Sequence, residues 1–93
     1  MERLDDATIG DGLAGLDWER QGDALVKTLK LADFKAALAF VNRVGDLAEE
    51  RNHHPDIAIS WNRVTLTLFT HDVGGLTRRD LDLAAEIDRL PSP

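Results

Sequence analysis

The alternation of apolar and polar residues predicts two β-hairpins in this 93-residue chain. The first covers positions 17–31 and turns at 21–23, where glycine and aspartate favour a reversal of direction. Its second strand alternates except at Lys27, which interrupts the apolar face. The second hairpin covers positions 57–69 and is expected to bend at Asn62-Arg63.

Apolar residues spaced three and four apart predict helices before, between and after these hairpins. A short first helix is expected after Asp5 or Asp6, and three glycines make it the least secure element. The last helix is expected over roughly 78–89, with Thr77 as its N-cap. The order α-β-β-α-β-β-α predicts one α+β domain over residues 1–93. In this two-layer arrangement a four-stranded antiparallel sheet carries three helices on one face.

The central helix is the longest predicted element, from Phe34 to about Arg51, with Asp33 as its N-cap. Pro55 is expected to end it, because the residue before a proline is pushed out of the helical region. Two apolar stripes run along this helix: Phe34, Ala37, Leu38, Val41 and Ala48 form one, and Ala36, Phe40, Val44 and Leu47 form the other. The stripes indicate either a second packing partner, most economically another copy of the chain, or one wide buried face.

Composition narrows the possible functions. The chain has 17 acidic and 11 basic residues and a net charge of −6, which disfavours binding to a phosphate backbone. It contains no cysteine, so disulfides, thiolate nucleophiles and cysteine-based zinc sites are excluded. No signal-like segment is apparent, and no apolar run approaches the ~20 residues needed to span a bilayer. We therefore expect a cytoplasmic protein that binds neither nucleic acid nor membrane.

All three histidines lie between positions 53 and 71, and two of them are adjacent. Imidazole titrates near neutrality, so this clustering predicts a proton-transfer site. Each residue also has an ordinary interpretation: His53 would lie near a helix C-terminus, where a cation favourably meets the exposed carbonyls. A zinc site made of the three histidines is disfavoured, because the adjacent His53 and His54 would point to opposite sides of an extended segment.

The residues around the histidines form one pattern. Glu49 stands four residues before His53-His54-Pro55, Trp61 follows, His71 ends an apolar run, and Asp80 opens the last helix. From about residue 13 onward the chain resembles the pterin-4a-carbinolamine dehydratase family, which carries these residue types at this spacing.

The resemblance implies dehydration of 4a-hydroxytetrahydropterin to quinonoid dihydropterin and water, which recycles the cofactor of aromatic amino acid hydroxylases. An acid must protonate the departing hydroxyl while a base removes the proton of the adjacent nitrogen. The resemblance implies that His53 and His71 do this, with His54 holding the ring or sharing the role. Glu49 would orient His53 from the same helix face. Asp80 has both a capping and a catalytic-support interpretation.

The resemblance also implies which segments bind the pterin and how the chain associates. The binding residues would be His53, His54, Pro55, Trp61, Thr70, His71, Asp72 and Val73. Neither a metal nor a cofactor is expected, and the protein would be a homodimer or homotetramer. The alternative is a non-catalytic interaction module on the same fold, an assembly chaperone or dimerisation cofactor, which would bind its partner through the striped helix.

Overall fold

The two hairpins join into one sheet in the computed structural model, which describes residues 2–91. The elements are α1 Asp6–Leu13, β1 Glu19–Gln21, β2 Ala24–Lys30, α2 Phe34–Arg51, β3 Asp56–Ser60, β4 Arg63–Leu68, a 3₁₀ helix His71–Val73 and α3 Arg78–Asp88. The predicted order and the α+β class are confirmed. Within the described residues, no helix combines the length and the apolar character needed to cross a bilayer.

The sheet has the strand order β1-β2-β4-β3, and every neighbouring pair is antiparallel. β4 is central, and its Val64, Leu66 and Leu68 are fully buried beneath the helices. Leu25 of β2 lies opposite Leu68 in the same buried layer. The single core therefore lies between the sheet and its helices, because the large apolar side chains of β2, β3 and β4 lie mainly on one face of the sheet.

The bend of the second hairpin falls one residue earlier than predicted. Trp61 and Asn62 form the turn, and Arg63 already belongs to β4. Asn62 is anchored to Leu31: its side-chain amide donates to the Leu31 carbonyl at 3.0 Å, and its own carbonyl accepts from the Leu31 N–H at 2.7 Å. In the same turn Trp61 has a positive φ of 54°, an uncommon conformation for a bulky residue.

Lys27, which interrupts the alternation of β2, is a buried cation rather than a break in the strand. Its side chain is 6% exposed, and its ammonium lies 2.9 Å from Asp88 Oδ1 and 3.2 Å from Asp17 Oδ2. Asp88 also accepts hydrogen bonds from the indole of Trp18 and from the Asp17 N–H, both at 2.9 Å. This network ties the sheet to the last residue of α3.

α1 begins where an aspartate caps it and packs closely on α3. Asp5 is the cap, since its side chain accepts from the Thr8 N–H at 2.8 Å. Gly12 allows the close approach, because a Cβ at that position would collide with the side chain of Leu81. A glycine that weakens the isolated helix therefore has a packing function in the folded chain.

α2 runs over the predicted residues, but Pro55 is not what ends it. The side chain of Asp33 accepts from the Ala36 N–H at 2.8 Å and caps the first turn. At the other end Asn52 adopts a left-handed conformation, and its N–H bonds to the carbonyls of Ala48 and Glu49. Asparagine tolerates this C-terminal position well, so the helix ends at Arg51, four residues before the proline.

The buried face of α2 mixes the two predicted stripes. Ala37, Phe40, Val44 and Ala48 are buried against the core. The outer edge of the apolar surface is open, with Phe34 47% and Leu38 40% exposed. α2 therefore presents both a wide buried face and an exposed apolar margin.

An ion pair on the surface links α2 to α3. Arg51 Nε lies 2.9 Å from both carboxylate oxygens of Glu86. The hydrogen bond from Arg51 lowers the pKa of Glu86 from its ordinary value, outweighing a smaller opposing effect of desolvation.

We expect Glu86→Gln to lower the melting temperature slightly at pH 7, because a surface ion pair with a half-exposed arginine contributes little to stability. Since the folded-state pKa of Glu86 is depressed, the contribution is present above the unfolded pKa and is lost as the pH falls through the folded pKa. Thermal unfolding of both proteins from pH 7 to pH 2 should show the two curves converging in acid. A constant difference across this range would contradict the assignment.

Candidate active site

A cleft of about 220 Å³ opens between the C-terminal end of α2 and the segment that follows β4. It is lined by Asn52, His53, His54, Phe69, Thr70, His71, Asp72 and Arg79. The fold thus brings all three histidines to one cavity, although they come from two separate segments of the chain. Pockets for drug-sized ligands have volumes of roughly 300–1,000 Å³, so this smaller cleft suits a compact ligand.

The most constrained contact of the site is a histidine–carboxylate pair. His53 Nε2 lies 2.6 Å from Oδ1 of Asp80, and the Asp80 side chain is completely buried. The second carboxylate oxygen accepts from the Thr70 hydroxyl at 2.6 Å and from the Thr77 N–H at 2.9 Å. A buried carboxylate with this set of donors is held rigidly, so it fixes both the position of the imidazole and which ring nitrogen faces the cleft.

Asp80 combines the two interpretations that its sequence position allowed. With Thr77 it forms a capping box at the start of α3. The same carboxylate contacts His53, so capping and support of the histidine do not exclude each other.

The ring of His53 does not cap α2. Its backbone N–H bonds to the Ala48 carbonyl at 3.1 Å, whereas its imidazole turns away toward Asp80. The left-handed Asn52 produces this direction, because it turns the chain out of the helix immediately before His53.

Glu49 contacts His54 instead of His53, the partner expected from its spacing. The Glu49 carboxylate and His54 Nε2 form a close contact, and both side chains are largely exposed. Side chains four residues apart meet only while the helix continues, and α2 ends at Arg51.

His71 follows β4 after a short irregular segment and begins the 3₁₀ helix, instead of lying directly at a strand end. Its imidazole is exposed and packs edge-to-face on Phe69, with ring centroids 4.9 Å apart and planes at 82°. Backbone pairing between Thr70 and Gly75 closes this segment, with a 3.0 Å bond from the Thr70 N–H. His71 therefore has a defined place at the cleft while its ring remains open to solvent.

The remaining predicted binding residues divide into two groups. Thr70 and Asp72 line the cleft, whereas Pro55, Trp61 and Val73 are not among its lining residues. Trp61 lies beyond the far end of β3, whose five residues span about 16 Å, and its side chain is 64% exposed.

Three residues of the cleft were not predicted from the sequence: Asn52, Phe69 and Arg79. Arg79 donates a hydrogen bond from Nη2 to the carbonyl of Asn52. The role of Asn52 as a helix cap could have been predicted, because asparagine just after an amphipathic helix favours the left-handed C-terminal conformation. Nothing in the sequence indicated the direction of the Arg79 side chain.

Chemically, the cleft offers one buried imidazole held by a carboxylate and two exposed imidazoles. Such groups can donate and accept protons near neutrality. Within residues 2–91, no group of three or more histidine, aspartate or glutamate side chains is arranged to hold a metal ion.

Comparison with known proteins identifies relatives over nearly the whole length of the chain. The family model described as pterin 4 alpha carbinolamine dehydratase matches residues 2–90. A Thermomicrobium roseum protein named "Putative pterin-4-alpha-carbinolamine dehydratase" is 57% identical over 93 residues, covering 99% of this chain and 100% of the relative. A similarly named protein of Thermosynechococcus vestitus is 53% identical over 90 residues, 96% of this chain and 95% of its own.

Solved structures agree with the sequence comparisons. A crystal structure of a transcriptional coactivator/pterin dehydratase from Brucella melitensis superposes with a TM-score of 0.87 at 30% identity, covering 92% of this chain and 95% of that one. A pterin dehydratase-like protein identified as a RuBisCO assembly factor in the alpha-carboxysome shares the fold with a TM-score of 0.64. That protein is 23% identical, and the superposition covers 78% of this chain and 84% of that one.

Proposed function

Because this chain belongs to the pterin-4a-carbinolamine dehydratase family, we propose that it dehydrates 4a-hydroxytetrahydropterin to quinonoid dihydropterin and water. In the same proposal it is a cytoplasmic hydro-lyase that recycles the tetrahydropterin cofactor of aromatic amino acid hydroxylases and uses neither a metal nor a cofactor. The observation that carries the proposal is the meeting of three histidines in one cleft, one of them held by a buried carboxylate.

The reaction breaks the bond between C4a and its hydroxyl oxygen. A proton is delivered to that oxygen, which leaves as water, and the proton on N5 is removed as the C4a–N5 double bond forms. The chemistry therefore needs one proton donor and one proton acceptor beside neighbouring atoms of the ring, and each contributes roughly 10²- to 10⁴-fold.

His53 and His71 are the proposed donor and acceptor. Nε2 of His53 is engaged by Asp80, which leaves Nδ1 as the ring nitrogen for the substrate. The buried carboxylate holds the imidazole in one position, so Nδ1 has a fixed place from which to exchange a proton with the substrate. His71 reaches the cleft from the other segment and is free to exchange protons with solvent.

His54 and its partner Glu49 are proposed to hold the pterin ring at the rim of the cleft. Both side chains are exposed, so they can contact the edge of the substrate. Thr70 and Asp72 would add polar contacts to the same flat ligand.

Turnover of freshly generated 4a-carbinolamine tests the proposal directly. We expect the purified protein to accelerate formation of quinonoid dihydropterin well above the rate in buffer, measured by stopped-flow absorbance. A rate equal to that in buffer, from protein whose cooperative unfolding shows it to be folded, would reject the dehydratase and favour the non-catalytic interaction module.

We also propose that the chain is a homodimer or homotetramer. The exposed apolar margin of α2, with Phe34 and Leu38, supports self-association because it leaves large apolar side chains in contact with water. Multi-angle light scattering of the wild type should give two or four chain masses. Replacing both residues with serine is expected to shift the mass downward, and a monomeric wild type at working concentration would contradict the proposal.

A further inference from the structure

A second, larger groove of about 410 Å³ adjoins the histidine cleft along one face of α3. The groove is lined by Arg79 and Glu86 of α3 and by Arg89, the C-terminal cap of that helix. Arg51 of α2 faces them. Positions 79 and 89 are separated by about 15 Å along a helix axis. The groove is therefore long enough to hold a flexible chain leading away from the cleft.

The groove carries positive charge in a protein whose net charge is negative. Arg51 is paired with Glu86, so these two charges offset each other. Arg79 and Arg89 form no ion pair with a carboxylate within the described part of the chain, and Asp82 is the only other acid lining the groove. The net charge of −6 repels anions from most of the protein surface. The arginine-lined groove differs from the rest of the surface because it favours the binding of an anion.

Arg79 connects the two cavities, since it lines both. Its Nη2 is anchored to the carbonyl of Asn52, the residue before His53. A guanidinium has five N–H donors, so this anchor leaves others for a ligand. A ring held by the histidines could extend a substituent past Arg79 into the groove.

From this continuity we propose that the preferred substrate is a pterin whose side chain carries a phosphate ester, with the phosphate lying along the groove against Arg79 and Arg89. The inference rests on the proposed pterin dehydration and specifies its substrate class. Guanidinium groups bind phosphate through paired, charge-assisted hydrogen bonds, which makes this the chemistry that the groove fits.

The test compares two stable reduced pterins, one with a neutral hydroxymethyl side chain and one with the diphosphate ester of that side chain. Equilibrium fluorescence titration should show the ester binding roughly tenfold more tightly to the wild type at low salt. The ratio of the two dissociation constants should shrink at high salt, because exposed charges are screened.

Arg89→Gln should reduce this ratio several-fold. Arg63→Gln is the matched control, because it removes the same charge from an exposed position at the start of β4, and it should leave the ratio unchanged. Each ratio compares two ligands on one protein, so a general effect on ring binding cancels.

The outcomes separate the two proposals. Equal affinity for the two pterins, or an equal loss of preference in Arg63→Gln, overturns the phosphate-bearing substrate and leaves the dehydratase intact. Pyrophosphate that binds as tightly without a pterin also overturns it, because the groove would then bind anions independently of the cleft. Failure of both pterins to bind, together with no turnover of the carbinolamine, rejects the dehydratase itself.

Discussion

Replacing His53 with glutamine is expected to lower kcat for carbinolamine dehydration by roughly 100-fold or more. Glutamine keeps an N–H that can donate to the buried Asp80, but it cannot take up or release a proton near neutral pH. The loss should appear mainly in kcat, because the missing interaction belongs to the transition state. Stopped-flow turnover at several substrate concentrations would separate the effects on kcat and KM.

His71→Gln provides the matched comparison for this prediction. His71 is exposed and makes no contact with Asp80, so its replacement should lower kcat without changing the free energy of unfolding. His54→Gln removes an exposed ring whose proposed role is to hold the substrate, so its effect should fall mainly on KM. Wild-type kcat in both His53→Gln and His71→Gln would contradict the proposed acid and base.

The largest loss of stability is expected from Asp88→Ala, about 3–5 kcal/mol. The substitution leaves the buried Lys27 ammonium with only the exposed Asp17 as its partner. It also removes the acceptor of the Trp18 indole. Folded domains are stable by only about 5–15 kcal/mol, so the change should be obvious in urea unfolding followed by circular dichroism.

Two further variants distinguish this ion network from a general effect of removing an acid. Asp82→Ala makes the same substitution at an exposed position of the same helix and should change stability by less than about 0.5 kcal/mol. Lys27→Met removes the buried charge but keeps an apolar side chain of similar length, so it should cost much less than Asp88→Ala. If Asp88→Ala were as stable as Asp82→Ala, the network would have no part in stability.

The buried Asp80 couples the stability of the fold to the proposed chemistry. Its carboxylate joins the start of α3, the Thr70 hydroxyl and the ring of His53. The cleft is therefore assembled only when α2, the segment after β4 and α3 have all packed. This dependence explains how a small domain can hold an imidazole in a fixed orientation.

Local sequence patterns determine much of the structure of this protein. Period-two and helical spacing, together with Asp33 and Thr77 as caps, predicted the order of the elements and the α+β class, because these signals act between residues close in the chain. The pattern from Glu49 to Asp80 indicated the family, which the comparisons then showed. The catalytic roles of those residues remain predictions.

Tertiary packing decided what local patterns could not. The sequence showed Lys27 as an interruption, and only the fold revealed Asp88 as its partner. Helical spacing paired Glu49 with His53, but the left-handed Asn52 ended the helix first and turned that ring toward Asp80. The direction of Arg79, which joins the cleft to its neighbouring groove, was equally invisible. The contacting partners are distant in sequence in three pairs, Lys27 with Asp88, His53 with Asp80 and Arg79 with Asn52. Their meeting therefore depends on how helices and sheet pack together.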